Sequence, residues 1–205
     1  MPRLFRFENS TNVERVALAL AHKGIAVESV WVDPGDRAPV REVSGQDLVP
    51  VLVDDDGTVV ADSTRILEHL EERHPEPPLY PRDLARRAET RLFIDWFNRV
   101  WKSWPNGIEA ELASPSADRG RVEELGAELT ASLDLFEQLL DGREYLLGAF
   151  SAADCAAFPF LRFALFFDED DPYLFHRIVA ERLHLGAEHA NVRAWLERVE
   201  TRPRA

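Results

Sequence analysis

The stretch LVPVLVDDDGTVVADSTRILEHL, residues 48–70, decides the fold of the N-terminal part of this chain. Two apolar runs, residues 51–53 and 59–61, flank the sequence Asp-Asp-Gly at residues 55–57. Asp-Gly between two apolar runs is typical of the turn in a β-hairpin. Asp62 then stands where a helix N-cap is expected, ahead of apolar residues at helical spacing. The stretch therefore predicts a hairpin that leads directly into a helix.

Two features of this stretch suit a ligand. Val49-Pro50 lies between a polar loop and an apolar run, where a proline can do without an N–H, and we predict a cis peptide bond there. A cis bond would turn the Val49 N–H and C=O away from their own sheet. The N–H groups at the start of the helix after Asp62 form a ready site for an anion. A peptide-like ligand with a carboxylate at one end fits both features.

The remaining patterns divide the chain into an α/β part and a helical part. Residues 4–7 and 27–32 are predicted strands, and the helix between them implies a parallel pair with a right-handed crossover. The proline-rich segment HPEPPLYP, residues 74–81, marks the boundary, because strand patterns cease after it. We therefore predict two domains, residues 1–79 and 83–205.

Two details of the helices are specific predictions. Thr11 and Glu14 match a capping box at the start of the first helix, which leaves the Ser10 hydroxyl spare. The helix after the linker, residues 83–104, is predicted to stop at Pro105-Asn106-Gly107.

Composition narrows the classes of function. The chain has 205 residues, of which 45% are hydrophobic, so it is able to bury a core. Its formal net charge of -13 argues against nucleic acid and anionic membranes as partners. The one cysteine, Cys155, excludes an intramolecular disulfide and a cysteine metal cluster, and the histidines show no metal spacing. With no signal-peptide pattern and no membrane-spanning apolar run, the cytoplasm is the expected location.

Four stretches resemble the cytosolic glutathione transferase superfamily. They are residues 48–70, residues 10–25 (STNVERVALALAHKGI), residues 146–161 (LLGAFSAADCAAFPFL) and residues 189–203 (HANVRAWLERVETRP). The resemblance is to bacterial members of the serine or asparagine type. It implies a thioredoxin-like N-terminal domain with a mixed four-stranded sheet, followed by an all-α domain. Within the third stretch, Ser151 to Asp154 is a local capping motif with a structural role.

The resemblance implies a thiol-activating group near the first helix. Ser10 falls where serine-type and cysteine-type members carry the residue that faces the glutathione sulfur, and Asn12 is the alternative. A free thiol has a pKa near ~8.5, so a hydrogen bond to sulfur and a nearby helix N-terminus raise the share of thiolate. Because position 10 is not cysteine, the reductase chemistry of the cysteine-type branch is not expected.

The resemblance also implies how glutathione lies. Backbone atoms of Val49, next to Pro50, pair with the cysteinyl residue. Ser63 and its N–H hold the γ-glutamyl carboxylate, and Asp62 faces the γ-glutamyl amine. The family often has a lysine or glutamine just ahead of the Val-Pro pair, reaching the glycyl carboxylate. Leu48 stands there and cannot donate, so the glycyl carboxylate lacks this partner. Another small thiol is therefore an alternative to glutathione.

Aromatic residues in the second domain supply candidates for an apolar electrophile pocket. The distal members of this group are Trp101, Trp104 and Phe166. The expected function is conjugation of glutathione, as co-substrate, to an apolar electrophile by a homodimer, with no metal. Two alternatives stay open: a thiol-dependent isomerase of the maleylacetoacetate type, and a non-catalytic interaction protein with the same fold.

Overall fold

The computed structural model describes every residue of the chain, and the residues form two compact units. One unit comprises Met1–Leu84 together with Arg202–Ala205, and the other comprises Ala85–Thr201. The segment Arg202–Ala205 therefore groups with the first unit, although the sequence boundary had placed it in the second domain. A hydrogen bond explains this placement, because the Arg6 guanidinium donates to the Ala205 carbonyl at 2.7 Å.

The first unit contains one sheet and three helices. Its elements are β1 (Arg3–Arg6), α1 (Thr11–His22), β2 (Glu28–Trp31), α2 (Ala38–Ser44), β3 (Val51–Val53), β4 (Val59–Ala61) and α3 (Ser63–Arg73). The four strands are arranged in the order β2-β1-β3-β4. Strands β1 and β2 run parallel, and β3 runs antiparallel to both β1 and β4. This mixed sheet and its hairpin confirm the predicted thioredoxin-like domain.

An apolar cluster holds the start of α1 against the segment before β3. Its buried members are Phe5, Val13, Val32, Val40, Val49, Val51 and Val53. Val13 lies in the first turns of α1, and Val49 precedes β3. Full burial of a valine or phenylalanine side chain contributes roughly 1.5–3 kcal/mol, so the cluster keeps these two segments in contact.

A buried ion pair anchors the linker predicted at residues 74–81. Lys23, at the end of α1, places its Nζ 2.9 Å from the Glu71 carboxylate of α3. The same Nζ donates to the carbonyls of His74 and Pro77, at 2.5 and 3.0 Å. The chain that leaves α3 is thereby tied back onto α1.

The second unit is helical, as predicted. The elements after the linker are α4 (Leu84–Trp96), a π-helical turn (Phe97–Trp101), α5 (Ser103–Ala113), α6 (Arg119–Leu139), α7 (Ala152–Leu161), α8 (Phe163–Phe166), α9 (Leu174–Arg182), a 3-10 turn (Ala187–His189) and α10 (Ala190–Glu200). None of the helices combines the length and the apolar character needed to span a membrane.

The helix stop predicted at Pro105-Asn106-Gly107 was wrong. The break comes earlier, at the π-helical turn, where the Lys102 N–H donates to the Phe97 carbonyl at 3.0 Å. α5 begins at Ser103, so Pro105 lies in its first turn. A missing N–H costs no helical hydrogen bond in a first turn, and the helix continues through the proline.

Candidate functional site

The start of α1 carries Ser10, and its cap differs from the prediction. Ser10 is the N-cap residue, and its hydroxyl accepts the Val13 N–H at 3.4 Å. The predicted capping box of Thr11 and Glu14 is therefore wrong, because the cap lies one residue earlier. A hydroxyl that accepts one hydrogen bond keeps its own proton to donate. Ser10 is thus able to cap α1 and to bond a ligand sulfur at the same time.

The start of α3 presents a main-chain donor. Asp62 is the N-cap, with a φ of 79°, and its Oδ1 accepts the N–H groups of Thr64 and Arg65 at 2.9 and 3.1 Å. The Ser63 N–H makes no hydrogen bond within the chain. It lies at the positive end of α3, so its hydrogen is available to an anion.

Asn12, Ser63 and Arg15 join the first turns of α1 and α3. The Ser63 hydroxyl donates to Asn12 Oδ1 at 3.4 Å and accepts from Arg15 Nη1 at 3.4 Å. Ser63 is 4% exposed and Arg15 is 1% exposed, so this contact lies in the interior of the unit. Two predicted site residues are thus brought together. Arg15 was missed, although a charged residue just ahead of the apolar run of α1 was a visible signal.

The segment before β3 has the predicted cis peptide bond between Val49 and Pro50. The β3 ladder begins at Val51, and the Val49 N–H and C=O make no hydrogen bond within the chain. Unpaired main-chain groups of this kind can pair with an extended ligand, as a strand added to a sheet does.

The residue ahead of the Val-Pro pair is an exposed leucine. Leu48 is 76% exposed and offers no side-chain hydrogen bond. The side chain of Gln46 is engaged with the main chain, because its Nε2 donates to the Leu48 carbonyl at 2.8 Å and its Oε1 accepts the Leu48 N–H at 2.5 Å. Arg41 is paired with Asp47 at 2.7 Å. The polar side chains of this segment are therefore committed to the chain itself.

The aromatic residues predicted for an electrophile pocket fall into two groups. Trp101 is wholly buried in the helical unit, where its ring stacks on Phe97 at 4.5 Å and its Nε1 donates to Ser132 Oγ at 3.0 Å. A side chain with no exposed surface cannot contact a substrate, so Trp101 is a core residue, contrary to the prediction. Trp104 and Phe166 are half-buried and stay candidates.

The sequence also matches two described protein families. Residues 4–78 match "Glutathione S-transferase, N-terminal domain", and residues 119–198 match "Glutathione S-transferase, C-terminal domain". The chain belongs to the glutathione S-transferase superfamily. Each of its two units contains one of the matched segments.

The relatives of this transferase-family chain carry names of different kinds. It is 33% identical to "FtsZ-localized protein A" of Caulobacter vibrioides over 155 residues, which cover 70% of this chain and 68% of that protein. It is 30% identical to the "Stringent starvation protein A homolog" of Pasteurella multocida over 158 residues, which cover 76% and 72%. It is 39% identical to "Maleylacetoacetate isomerase" of Pseudomonas aeruginosa over 95 residues, which cover 43% and 45%.

Solved structures share the fold over nearly the whole chain. A glutathione S-transferase from Methylobacterium radiotolerans, in complex with glutathione sulfonate, has a TM-score of 0.79 at 25% identity and covers 98% of this chain and 91% of its own. FzlA from C. crescentus has a TM-score of 0.77 at 27% identity and covers 98% and 88%.

Proposed function

We propose that this chain is a glutathione transferase that conjugates a glutathione-type thiol to an apolar electrophile. The observation that carries the proposal is a pair of unmet main-chain sites in one unit, at Val49 and at the Ser63 N–H. An extended peptide pairs with groups of the first kind, and its carboxylate binds a donor at a helix N-terminus. A glutathione-type thiol supplies both the peptide and the carboxylate.

The proposal gives the candidate site residues of the N-terminal unit roles in binding. The Ser63 N–H binds the γ-glutamyl carboxylate at the start of α3. The exposed Asp62 carboxylate faces the γ-glutamyl amine. The main chain of Val49, next to Pro50, pairs with the cysteinyl residue and so directs the sulfur toward the start of α1.

The chemistry then depends on forming the thiolate. A hydrogen bond from the Ser10 hydroxyl, or from the Asn12 amide, stabilises the sulfur anion and lowers the pKa of the bound thiol. The positive end of α1 acts in the same direction. The thiolate attacks the electrophilic carbon, and the leaving group departs with its electron pair. Trp104 and Phe166 are the candidates for apolar contact with the electrophile.

A solved relative supports the proposed ligand, because the transferase of Methylobacterium radiotolerans holds glutathione sulfonate. In this proposal glutathione is the co-substrate, and the reaction requires no metal. We also propose a homodimer located in the cytoplasm, as the family resemblance implies.

Calorimetric titration with glutathione tests the binding, and conjugation to an activated aryl halide tests the chemistry. We expect the wild-type chain to bind glutathione and its conjugation rate to saturate as the glutathione concentration is raised. γ-Glutamylcysteine serves as the second ligand, because it keeps the γ-glutamyl carboxylate and the thiol but has no glycyl residue. A chain that binds neither compound contradicts the proposal.

A non-catalytic function is favoured by two of the relatives. Their names, "FtsZ-localized protein A" and "Stringent starvation protein A homolog", describe a location and a condition rather than thiol transfer. Glutathione binding without turnover of any electrophile would favour this alternative.

The similarity to "Maleylacetoacetate isomerase" favours an isomerase instead. Under this alternative, the chain would isomerise maleylacetoacetate in the presence of glutathione without consuming the thiol.

A further inference from the structure

A buried histidine of the helical unit pairs with an aspartate where the α8–α9 connection, residues 167–173, leads into α9. His176 is 4% exposed, and its Nδ1 lies 2.8 Å from Asp171 Oδ2. The other oxygen of this carboxylate, Oδ1, accepts the Tyr173 N–H at 2.8 Å. Asp171 therefore holds both the first turn of α9 and the backbone just before it.

The ring of His176 also joins α9 to α8. It stacks on the buried Phe163, the first residue of α8, with 4.0 Å between the ring centroids and 16° between the ring planes. Stacked rings stabilise a structure beyond the apolar area that they bury. His176 thus contacts α8 through its ring face and the α8–α9 connection through Nδ1.

Burial keeps His176 uncharged at neutral pH. It lowers the pKa of the imidazole below its ordinary 6.5, and it outweighs the Asp171 carboxylate, which raises that pKa. Arg162, between α7 and α8, lowers the pKa further, and Glu109 of α5 raises it. The neutral ring therefore carries its proton on Nδ1, the atom that donates to Asp171.

Acid changes the balance at this ring. Nε2 makes no hydrogen bond within the chain, so it is the atom that takes up a second proton. The packed arrangement binds that proton less tightly than an open one, in which water solvates the imidazolium. The contribution of His176 to stability is therefore present in full above the ordinary pKa of histidine, and it is lost as the pH falls through the lowered value. The ion pair that joins α6 to α9, Arg182 with Glu123, lies at the other end of α9.

We propose that His176 and Asp171 form a pH-sensitive switch, which holds the α8–α9 connection in place at neutral pH and releases it in mild acid. The inference does not rest on the proposed function, because it requires no bound thiol. It bears on that function at one point. α8 ends at Phe166, a candidate for contact with the electrophile, so release would loosen one side of the proposed electrophile pocket.

Hydrogen exchange followed by mass spectrometry on the intact chain tests the release. Protection factors, from which the intrinsic pH dependence of exchange is removed, are compared for residues 163–176 at pH ~8 and ~5. We expect protection of this segment to fall about fivefold on acidification, the change that corresponds to the loss of one hydrogen bond. Asp154 acts in the opposite direction, because its raised pKa stabilises the helical unit in acid. A fall confined to residues 163–176 is therefore not due to Asp154.

Three variants isolate the imidazole. His176→Gln keeps a neutral N–H donor for Asp171 but does not titrate, so we expect the acid-dependent loss of protection to disappear. His184→Gln is the matched control, because His184 is an exposed histidine of the same unit, and the loss should persist in it. Asp171→Asn removes the carboxylate charge and should lower the pKa of His176 further, as NMR of nitrogen-labelled imidazoles measures.

The same NMR titration tests the wild-type chain directly and decides the matter if melting curves show that His176→Gln does not fold. We expect His176 to carry its proton on Nδ1 at neutral pH and to titrate below 6.5. The switch is excluded if His176 titrates above 6.5, because protonation would then tighten the pair. It is also excluded if protection is equal at the two pH values, or if it falls as much in His176→Gln as in the wild type. No glutathione is present in these measurements, so the switch and the proposed function fail separately.

Discussion

The Ser63 hydroxyl donates to the side-chain oxygen of Asn12 across 3.4 Å, so the first turns of α3 and α1 share a hydrogen bond. The two helices therefore do not present their ends to a ligand independently. This bond joins the start of α3, proposed for the carboxylate, to the start of α1, proposed for the thiol. A change at Ser63 should therefore affect both.

Ser63→Pro should weaken glutathione binding more than Ser63→Ala does. Ser63 is the first residue of α3, a position where proline is favoured because its missing N–H has no helical partner. Alanine removes only the hydroxyl, whereas proline also removes the N–H proposed for the γ-glutamyl carboxylate. A hydrogen bond to a charged group is worth about 1.5–3 kcal/mol, so proline should cost a further one to two powers of ten in affinity. Calorimetry measures the difference.

Ser132→Ala is the matched control for this comparison. Ser132 is also a buried serine, but its hydroxyl bonds Trp101 in the helical unit. We expect this variant to lower the melting temperature and to leave glutathione affinity unchanged. Equal affinity of Ser63→Pro and Ser63→Ala would place the carboxylate away from the start of α3.

Ser10→Ala should raise the pKa of the bound thiol by about one to two units, since each unit corresponds to ~1.36 kcal/mol of lost stabilisation. Turnover of an activated aryl halide should drop near neutral pH, where the variant's thiol is mostly protonated. At high pH, where the thiol is ionised in both proteins, most of the difference should close. Rate measurements across pH, together with the thiolate absorbance, check both parts.

The N-cap role of Ser10 complicates this variant, because the hydroxyl also accepts the Val13 N–H. Loss of a serine cap costs about 0.5–2 kcal/mol of stability, so Ser10→Gly, which costs only a few tenths, is the better-folded partner. Both variants should shift the thiol pKa alike. If only Asn12→Ala shifts the titration, the amide is the activating group and Ser10 is not.

The sequence was most informative where structure depends on neighbours in the chain. The hairpin and the Asp62 cap follow from turn and capping chemistry within a few residues, and both were predicted. At α1, both Ser10 and Thr11 are able to cap the helix. Thr11 matched a capping box, but Ser10 is the N-cap in the structure. A local pattern does not reveal which of two such residues the tertiary structure favours.

Other features could not be predicted because they depend on distant parts of the chain. Arg15 meets Ser63 only after the sheet brings α1 and α3 together. Trp101 is one of several aromatic residues in its part of the sequence, and its burial depends on residues distant in the chain, among them Ser132 of α6 and Phe160 of α7. The π-helical turn that moved the helix break away from Pro105 has no comparable sequence signal.

Lys23→Met should destabilise the fold by about 3–5 kcal/mol, because it leaves the Glu71 carboxylate buried without its charge partner. The double variant Lys23→Met/Glu71→Gln should recover part of this loss. A glutamine oxygen is still able to accept the Leu79 N–H, which now donates to Glu71 at 2.8 Å. Urea unfolding measures all three proteins.

Arg41→Met is the matched control, since Arg41 and Asp47 form an ion pair whose side chains are exposed. Exposed pairs contribute about 0–1 kcal/mol. A Lys23→Met variant as stable as Arg41→Met would show that the buried pair does not hold the linker.

Asp154 makes the stability of the helical unit depend on pH. Its carboxylate is fully buried and accepts from the Leu146 N–H, the Trp195 Nε1 and the N–H and hydroxyl of Ser151. Burial outweighs these donors and raises the pKa of Asp154 from its ordinary 3.8 to about 6. The folded chain therefore binds this proton more tightly than the unfolded chain does.

The sign of the pH dependence follows from that difference. Protonation of Asp154 contributes fully to the free energy of unfolding below the unfolded pKa, and the contribution is lost as the pH rises through about 6. A difference of about two pKa units corresponds to about 3 kcal/mol. In Asp154→Asn the group is neutral at every pH, so this dependence disappears. We expect the unfolding free energy of the wild type, minus that of Asp154→Asn, to fall by about 2 kcal/mol between pH ~4 and ~7, because part of the full difference is already lost at pH ~4. Urea unfolding followed by tryptophan fluorescence at a series of pH values measures it. A difference that rises with pH over this window would show that the hydrogen bonds outweigh burial and that Asp154 is held as the anion.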